Sequence, residues 1–186
     1  VWQVHSAEIV RADSPNWAGS PVKADGMVTA QPALSLLMRF ADCVPILVFD
    51  PVRIAIGVGH AGWLGTVRGV SIELVRAMVR EFASRPEDLI AGLGPSIGPD
   101  HYPVGPDVVA QVEAAFAAHS SQFLLPREGQ VVLDLWSANR WQLESTGIGS
   151  VEVAGICTAC NLADWYSHRG ERGQTGRFGA VLALNA

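Results

Sequence analysis

The chain has 186 residues, 49% of them hydrophobic and 17% charged, which suits one compact domain and is too apolar for a disordered chain. Thirteen basic against eighteen acidic residues leave a net charge of −5, excluding the broad basic face that nucleic acid or an anionic membrane needs in a main partner. The longest apolar stretch, residues 44–49, is far short of the ~20 residues of a membrane span.

The three cysteines, Cys43, Cys157 and Cys160, are an odd number without a signal peptide. They read as reduced thiols of a cytoplasmic protein rather than a disulfide framework. There is no repeat and no long linker, only short breaks such as Ser14-Pro15-Asn16 and the turn at residues 126–129. Short runs rich in branched residues predict strands at 34–40, 44–49, 54–58, 131–133, 151–156 and 180–184. Between 66 and 82, Val67, Val70, Leu74, Val75, Met78, Val79 and Phe82 recur at threes and fours, which predicts an amphipathic helix with Thr66 as its N-cap. A second helix is expected to start at Pro106 and run to Phe116, and a third to cover 135–146 with Gly147 as its stop. Helices interspersed among hairpin-like strands imply an α+β fold: a single layered domain over 1–186 with a mixed β-sheet and flanking helices.

The hairpin of the strands at 44–49 and 54–58 is the most informative local geometry. With Pro51 and Val52 in its turn, Asp50 faces Arg53 and Cys43 faces His60, with Cβ atoms about 4.5–5.5 Å apart. Such a pair can supply sulfur at about 2.3 Å and nitrogen at about 2.0 Å from one zinc ion. Pro51 cannot take the positive φ of a tight type I′ turn, so a longer loop would shift this register. Two other readings stay open: Cys43 as a small core hydrophobe, and Cys43 as a metal-free nucleophile with His60 as its base, a cysteine hydrolase.

Gln3-Val4-His5-Ser6, Arg39-Phe40-Ala41-Asp42-Cys43-Val44-Pro45 and His60-Ala61-Gly62-Trp63-Leu64-Gly65-Thr66 together resemble the YfiH/YlmD family. That family has been described as a laccase-like polyphenol oxidase domain, a peptidoglycan editing factor and a purine nucleoside phosphorylase. The resemblance continues through Gly94-Pro95-Ser96-Ile97-Gly98, Leu133-Asp134-Leu135-Trp136, Ser167-His168-Arg169 and Thr175-Gly176-Arg177, and so covers essentially the whole chain. It implies zinc on His5, Cys43 and His60, with three protein ligands leaving the fourth position open for catalysis. It further implies phosphorolysis of purine nucleosides and deamination of adenosine, with adenosine, inosine and methylthioadenosine as substrates and phosphate as partner. Asp42 is then placed to relay protons or orient a ligand, and Arg39, Arg169 and Arg177 to hold phosphate or ribose oxygens. Trp63, or Trp165 and Tyr166, would stack on the purine.

The chain departs from the family at Leu64, where Arg is usual, at Ser96, where Cys is common, and at its start, which lacks the family's N-terminal strands and predicts an exposed sheet edge. The lost arginine removes a bidentate anion donor. Copper is the rival metal: two histidines, one cysteine and an axial Met38 or Met27 would mimic a blue-copper site, although five histidines are too few for a multicopper cluster as well. A cell-wall editing factor without nucleoside turnover is the non-catalytic rival. Cys157-Thr158-Ala159-Cys160 has knuckle or redox spacing but no second pair, and is read as incidental. His168 is read as a hydrogen-bonding neighbour of the site, and His101 and His119 as surface residues. Glu73 and Glu81 are read as a solvated helix face.

Overall fold

The computed structural model describes residues 1–13 and 22–185; the expected break at Ser14-Pro15-Asn16 lies outside them. In chain order the strands are β1 (Ile9–Arg11), β2 (Gly26–Thr29), β3 (Ser35–Phe40), β4 (Val44–Asp50), β5 (Ala55–Ala61), β6 (Ile90–Leu93), β7 (Pro103–Val104), β8 (Leu124–Arg127), β9 (Gln130–Leu133), β10 (Ser150–Val153) and β11 (Phe178–Ala183). The α-helices are α1 (Trp63–Val67), α2 (Val70–Phe82), α3 (Pro106–Phe116) and α4 (Leu135–Ser145). A six-stranded sheet runs β1-β2-β5-β4-β6-β10, parallel at β1–β2 and β6–β10 and antiparallel between, so the mixed sheet holds. β3 and β11 form an antiparallel pair, and β7, β9 and β8 a small third sheet.

β5 explains the layering. Its sequence Ala-Ile-Gly-Val-Gly-His-Ala alternates small with larger residues, and every position is buried. Ala55 and Ala61 join the cluster formed with α2 and α4, while Ile56 and Val58 join Leu36, Met38 and Phe40 of β3 in a second cluster. Successive side chains on a strand point to opposite faces, so β5 is sandwiched between α2 and the β3–β11 pair. Gly57 and Gly59 let α2 approach: a Cβ on either would lie 3.1 or 3.2 Å from a Leu74 methyl. His60 therefore shares the face of Ile56 and Val58, at the end of the strand, with the Phe40 ring 5.5 Å from its own.

Two expectations change. The hairpin turn holds four residues, not two, so Asp50 pairs with Ala55 and Pro45 with His60. Asp50 Oδ1 accepts the N–H groups of Val52 and Arg53 at 2.8 and 2.9 Å, an arrangement that closes the longer loop around Pro51. Cys43 is thus displaced by two residues from a position directly opposite His60, and a shift of two preserves the face. The helix expected over 66–82 is split, because Gly69 takes φ 79° and starts α2 afresh. Thr66 is then no N-cap. It is buried inside α1, where Asn139 Nδ2 donates to its hydroxyl at 2.9 Å and Gln142 Nε2 to its carbonyl at 2.8 Å. Asn139 also accepts from the Ser71 hydroxyl at 2.7 Å. Leaving such buried groups unpaired would cost about 1–3 kcal/mol each, so this network fixes α1, and Trp63 with it, against α4. The helix at Pro106–Phe116 is found as expected, and α4 starts at an Asp134 cap whose carboxylate accepts from Ser137 N at 3.0 Å. Strands β1, β2, β6, β7 and β8 go beyond the runs expected from sequence. All five are four residues or fewer, too short to declare a period.

Candidate metal centre

His60 is brought to the site by β5 and fixed there by Asp25, which lies just before β2 and is fully buried. Asp25 Oδ1 is 2.9 Å from His60 Nδ1, and the Asp25 carbonyl accepts from His60 N at 2.8 Å. The other carboxylate oxygen accepts from Val4 N at 3.1 Å, Ser6 N at 2.6 Å and Ser6 Oγ at 2.8 Å. One carboxylate thus orients His60 and clamps the peptides on both sides of His5. Burial alone would raise its pKa, but the hydrogen bonds from His60, Ser6 and Val4 prevail and hold it well below the usual carboxylate range. Sequence reasoning missed Asp25. The available signal was Ala24-Asp25-Gly26 at the head of a strand, an acid in a setting that buries it.

His5 takes φ 57° and is held in that left-handed conformation from outside as well, since Arg68 Nη1 donates to its carbonyl at 2.7 Å. Gln3 pairs with the backbone of Arg39 in both directions, at 2.9 and 3.1 Å, and ties this N-terminal segment to β3. Cys43, half-buried, follows the turn after β3, where Asp42 adopts φ 83°. The donor atoms of His5, Cys43 and His60 all lie within 4.8 Å of one another, and the two imidazoles meet edge to face with centroids 5.0 Å apart. Gly62 provides the room. A Cβ there would stand 2.8 Å from Cys43 Sγ and 3.2 Å from His5 Cδ2. Desolvation would raise the Cys43 pKa, yet His5 and His60 lower it below an ordinary thiol. Desolvation would likewise depress His60, but Asp25 and Cys43 raise it. Two imidazoles and a low-pKa thiol around a space without a Cβ form a donor set that fits a zinc or copper ion.

These residues open onto a cavity of about 930 Å³ lined also by Gln3, Arg39, Asp42, Trp63, Tyr102, His168, Arg169 and Arg177. His5, Cys43, His60, Asp42, Arg39, Arg169 and Arg177, all singled out from sequence, are therefore gathered at one opening. Arg39 pairs with Gly179 across β3–β11, so Arg177, two residues before Gly179, belongs to the same exposed face as Arg39. Arg169 packs its guanidinium 5.0 Å from the Tyr102 ring centre and donates to Pro103 O at 3.0 Å. Asp42 is buried, accepting from Thr158 Oγ1 at 2.7 Å and Arg169 N at 2.6 Å. It anchors the loop that presents Arg169.

Trp63 lines the cavity as expected, but Trp165 and Tyr166 do not; Trp165 packs on Phe178 instead, and the second aromatic wall is Tyr102. Leu64 is half-buried in α1 and is not among the lining residues. Ser96 is buried and accepts from Trp136 Nε1 at 2.6 Å. Met27 and Met38 pack in the cluster between β5 and β3. His168 lines the cavity, and His119 is exposed against Trp141. Cys157 and Cys160 converge with His101 into a second three-donor group, which the sequence spacing alone did not disclose.

Residues 1–185 match the family model described as multi-copper polyphenol oxidoreductase laccase. The chain belongs to this family. It is 43% identical over 183 residues to a purine nucleoside phosphorylase of Deinococcus radiodurans, covering 98% of this chain and 68% of that one. It is 36% identical over 162 residues to the purine nucleoside phosphorylase YlmD of Bacillus subtilis, covering 86% of this chain and 58% of the relative. Among solved structures, YfiH of Bacillus licheniformis superposes with a TM-score of 0.92 at 35% identity, over 98% of this chain and 72% of that one. YlmD of Geobacillus stearothermophilus gives 0.91 at 33%, with the same coverage. No helix among the described residues is long and apolar enough to cross a membrane.

Proposed function

We propose that this chain is a zinc-dependent purine nucleoside phosphorylase that also deaminates adenosine, with adenosine, inosine and methylthioadenosine as substrates. The observation that carries this reading is the placement of a three-donor centre, three arginines and two aromatic rings around one cavity. Its volume falls within the ~300–1,000 Å³ typical of small-molecule sites. The names of the relatives from Deinococcus and Bacillus support the same substrate class.

His5, Cys43 and His60 would hold the metal. When bound, zinc supplies Lewis-acid chemistry at an open coordination position, and copper is the less favoured occupant. Tyr102 and Trp63 offer faces for a purine ring. Arg39 and Arg177 offer paired donors to phosphate oxygens, and Arg169 joins them from the loop that Asp42 orients. In phosphorolysis the bond between ribose C1′ and the purine nitrogen breaks, a phosphate oxygen bonds to C1′, and the base leaves with a proton. Asp25 keeps His60 in one tautomer, and Asp42 holds the Arg169 peptide in place. All three cysteines are free, and we place the reaction in the cytoplasm, where thiols stay reduced.

The test is product analysis from each nucleoside with and without phosphate, on protein of measured zinc content. Free base with ribose 1-phosphate appearing only with phosphate supports phosphorolysis, and inosine with ammonia from adenosine alone supports deamination. No turnover of any of them by zinc-loaded protein overturns both. Undiminished activity after metal stripping by a strong chelator overturns the metal's role and favours a cysteine hydrolase.

A further inference from the structure

Away from the cavity, the loop after β10 and the 3₁₀ turn Pro99–His101 bring a second set of soft donors together. Cys157 is buried, Cys160 and His101 are exposed, and the three donor atoms lie within 4.8 Å of one another. His101 Nδ1 is 3.5 Å from Cys160 Sγ and 3.8 Å from Cys157 Sγ. Tetrahedral zinc with bonds of about 2.3 Å to sulfur and 2.0 Å to nitrogen separates its donors by ~3.5–3.8 Å, so both distances already suit one ion.

The surroundings hold the sulfur in place. The Gly98 N–H donates to Cys157 Sγ at 3.2 Å, which fixes the direction of that side chain. A Cβ at Gly98 would lie 3.2 Å from Cys157 Cβ, so the close approach needs that glycine. The turn is fixed by Thr158 N donating to Ser96 O at 3.0 Å and by Asn161 Nδ2 donating to Cys157 O at 2.8 Å. Cys160 and His101, at the surface, leave an entry path.

We propose that His101, Cys157 and Cys160 form a second metal site, distinct from His5, Cys43 and His60, that takes a soft divalent cation of the zinc class. Binding deprotonates both thiols, releases two protons to water and leaves one coordination position for water. Thr158 lies between the two cysteines, and its hydroxyl donates to Asp42 Oδ1 at 2.7 Å while Asp42 Oδ2 accepts from Arg169 N. An ion at this site therefore stiffens the turn that sets Asp42 and Arg169 at the mouth of the cavity.

The experiment titrates Co²⁺ alone into reduced Cys43→Ala protein, so that the first centre is disabled and its fate does not enter the result. One equivalent per chain, with thiolate-to-cobalt charge-transfer absorption and tetrahedral d–d bands, is expected. Adding Cys160→Ser, or separately His101→Ala, should abolish or sharply weaken those bands while circular dichroism shows the fold retained. Absence of thiolate-cobalt absorption in folded Cys43→Ala protein overturns the proposal. So does absorption that survives Cys160→Ser unchanged, or a Cys157–Cys160 disulfide that persists in the reduced sample by mass spectrometry.

Discussion

Asp25 and His60 form a buried pair, carboxylate Oδ1 2.9 Å from imidazole Nδ1, that joins the start of β2 to the end of β5. With the proton on Nδ1 shared toward the carboxylate, Nε2 is left as the lone-pair donor and its basicity is raised. The same carboxylate takes the N–H groups of Val4 and Ser6, so the ring of His60 and the backbone around His5 depend on a single side chain.

Asp25→Asn tests this coupling. An amide has one accepting oxygen and one donating NH2: turned to keep the Val4 and Ser6 bonds it presents N–H to His60 Nδ1, and turned to accept from His60 it presents N–H to the Val4 and Ser6 donors, so one of the two sets is lost. Outer partners of metal-binding histidines are worth about 10–100-fold in metal affinity, and a loss of that size is expected in competition with a chromophoric zinc chelator. Unchanged affinity would show that the ligands hold their geometry without Asp25.

Gly62→Ala probes the room between the donors. The added methyl would stand 2.8 Å from Cys43 Sγ, well inside contact, and overpacking of this kind costs about 1–3 kcal/mol. In a Cys160→Ser background, where zinc reports on His5, Cys43 and His60 alone, bound zinc should fall well below one per chain while the protein remains folded. Full zinc occupancy with normal turnover would mean that Cys43 can retreat and that the cradle is not what holds it.

Much of this site was legible because Cys43 and His60 sit in dense local motifs at strand ends. Cys43 and His60 share a face in the hairpin even though the register differs by two residues, since the period of a strand forgives an even slip. What the sequence concealed was long-range: Asp25 reaches His60 across a separation of 35 residues and His101 reaches Cys160 across 59. Neither pairing has a local period. The split between α1 and α2 was hidden for another reason: the apolar spacing continues through Gly69, and only its positive φ shows the break.

Arg39 and Arg177 should act on phosphate rather than on the nucleoside. Both are exposed at the cavity, and among the described residues Arg177 otherwise donates only to the nearby Thr175 and Gly176 carbonyls. A charge-assisted hydrogen bond contributes about 1.5–3 kcal/mol, so each alanine variant is expected to raise KM for phosphate by about 10–100-fold, with KM for inosine changed far less. Leu64 supplies no guanidinium, which leaves this load on the β3–β11 face. Equal effects on both substrates would place the arginines elsewhere in the reaction.

Asp50 sets the acid limit of the hairpin of β4 and β5. It is fully buried, and although burial alone would raise its pKa, the Val52 and Arg53 N–H groups that its Oδ1 accepts hold it below the usual carboxylate value, while Oδ2 and the Ser84 hydroxyl have no hydrogen-bond partner among the described residues. The folded pKa is thus lower than the unfolded one of about 4. The stability it contributes is complete above that value and disappears as pH falls through the folded pKa. Asp50→Ala removes two hydrogen bonds to a charged group and should destabilise metal-stripped protein by about 2 kcal/mol at pH 7. In urea unfolding the gap between wild type and variant should narrow steadily below pH 4. A gap that stays constant down to pH 2.5 would mean that the neutral carboxyl closes the four-residue turn as well as the carboxylate does, and that charge plays no part in fixing the register of β4 against β5.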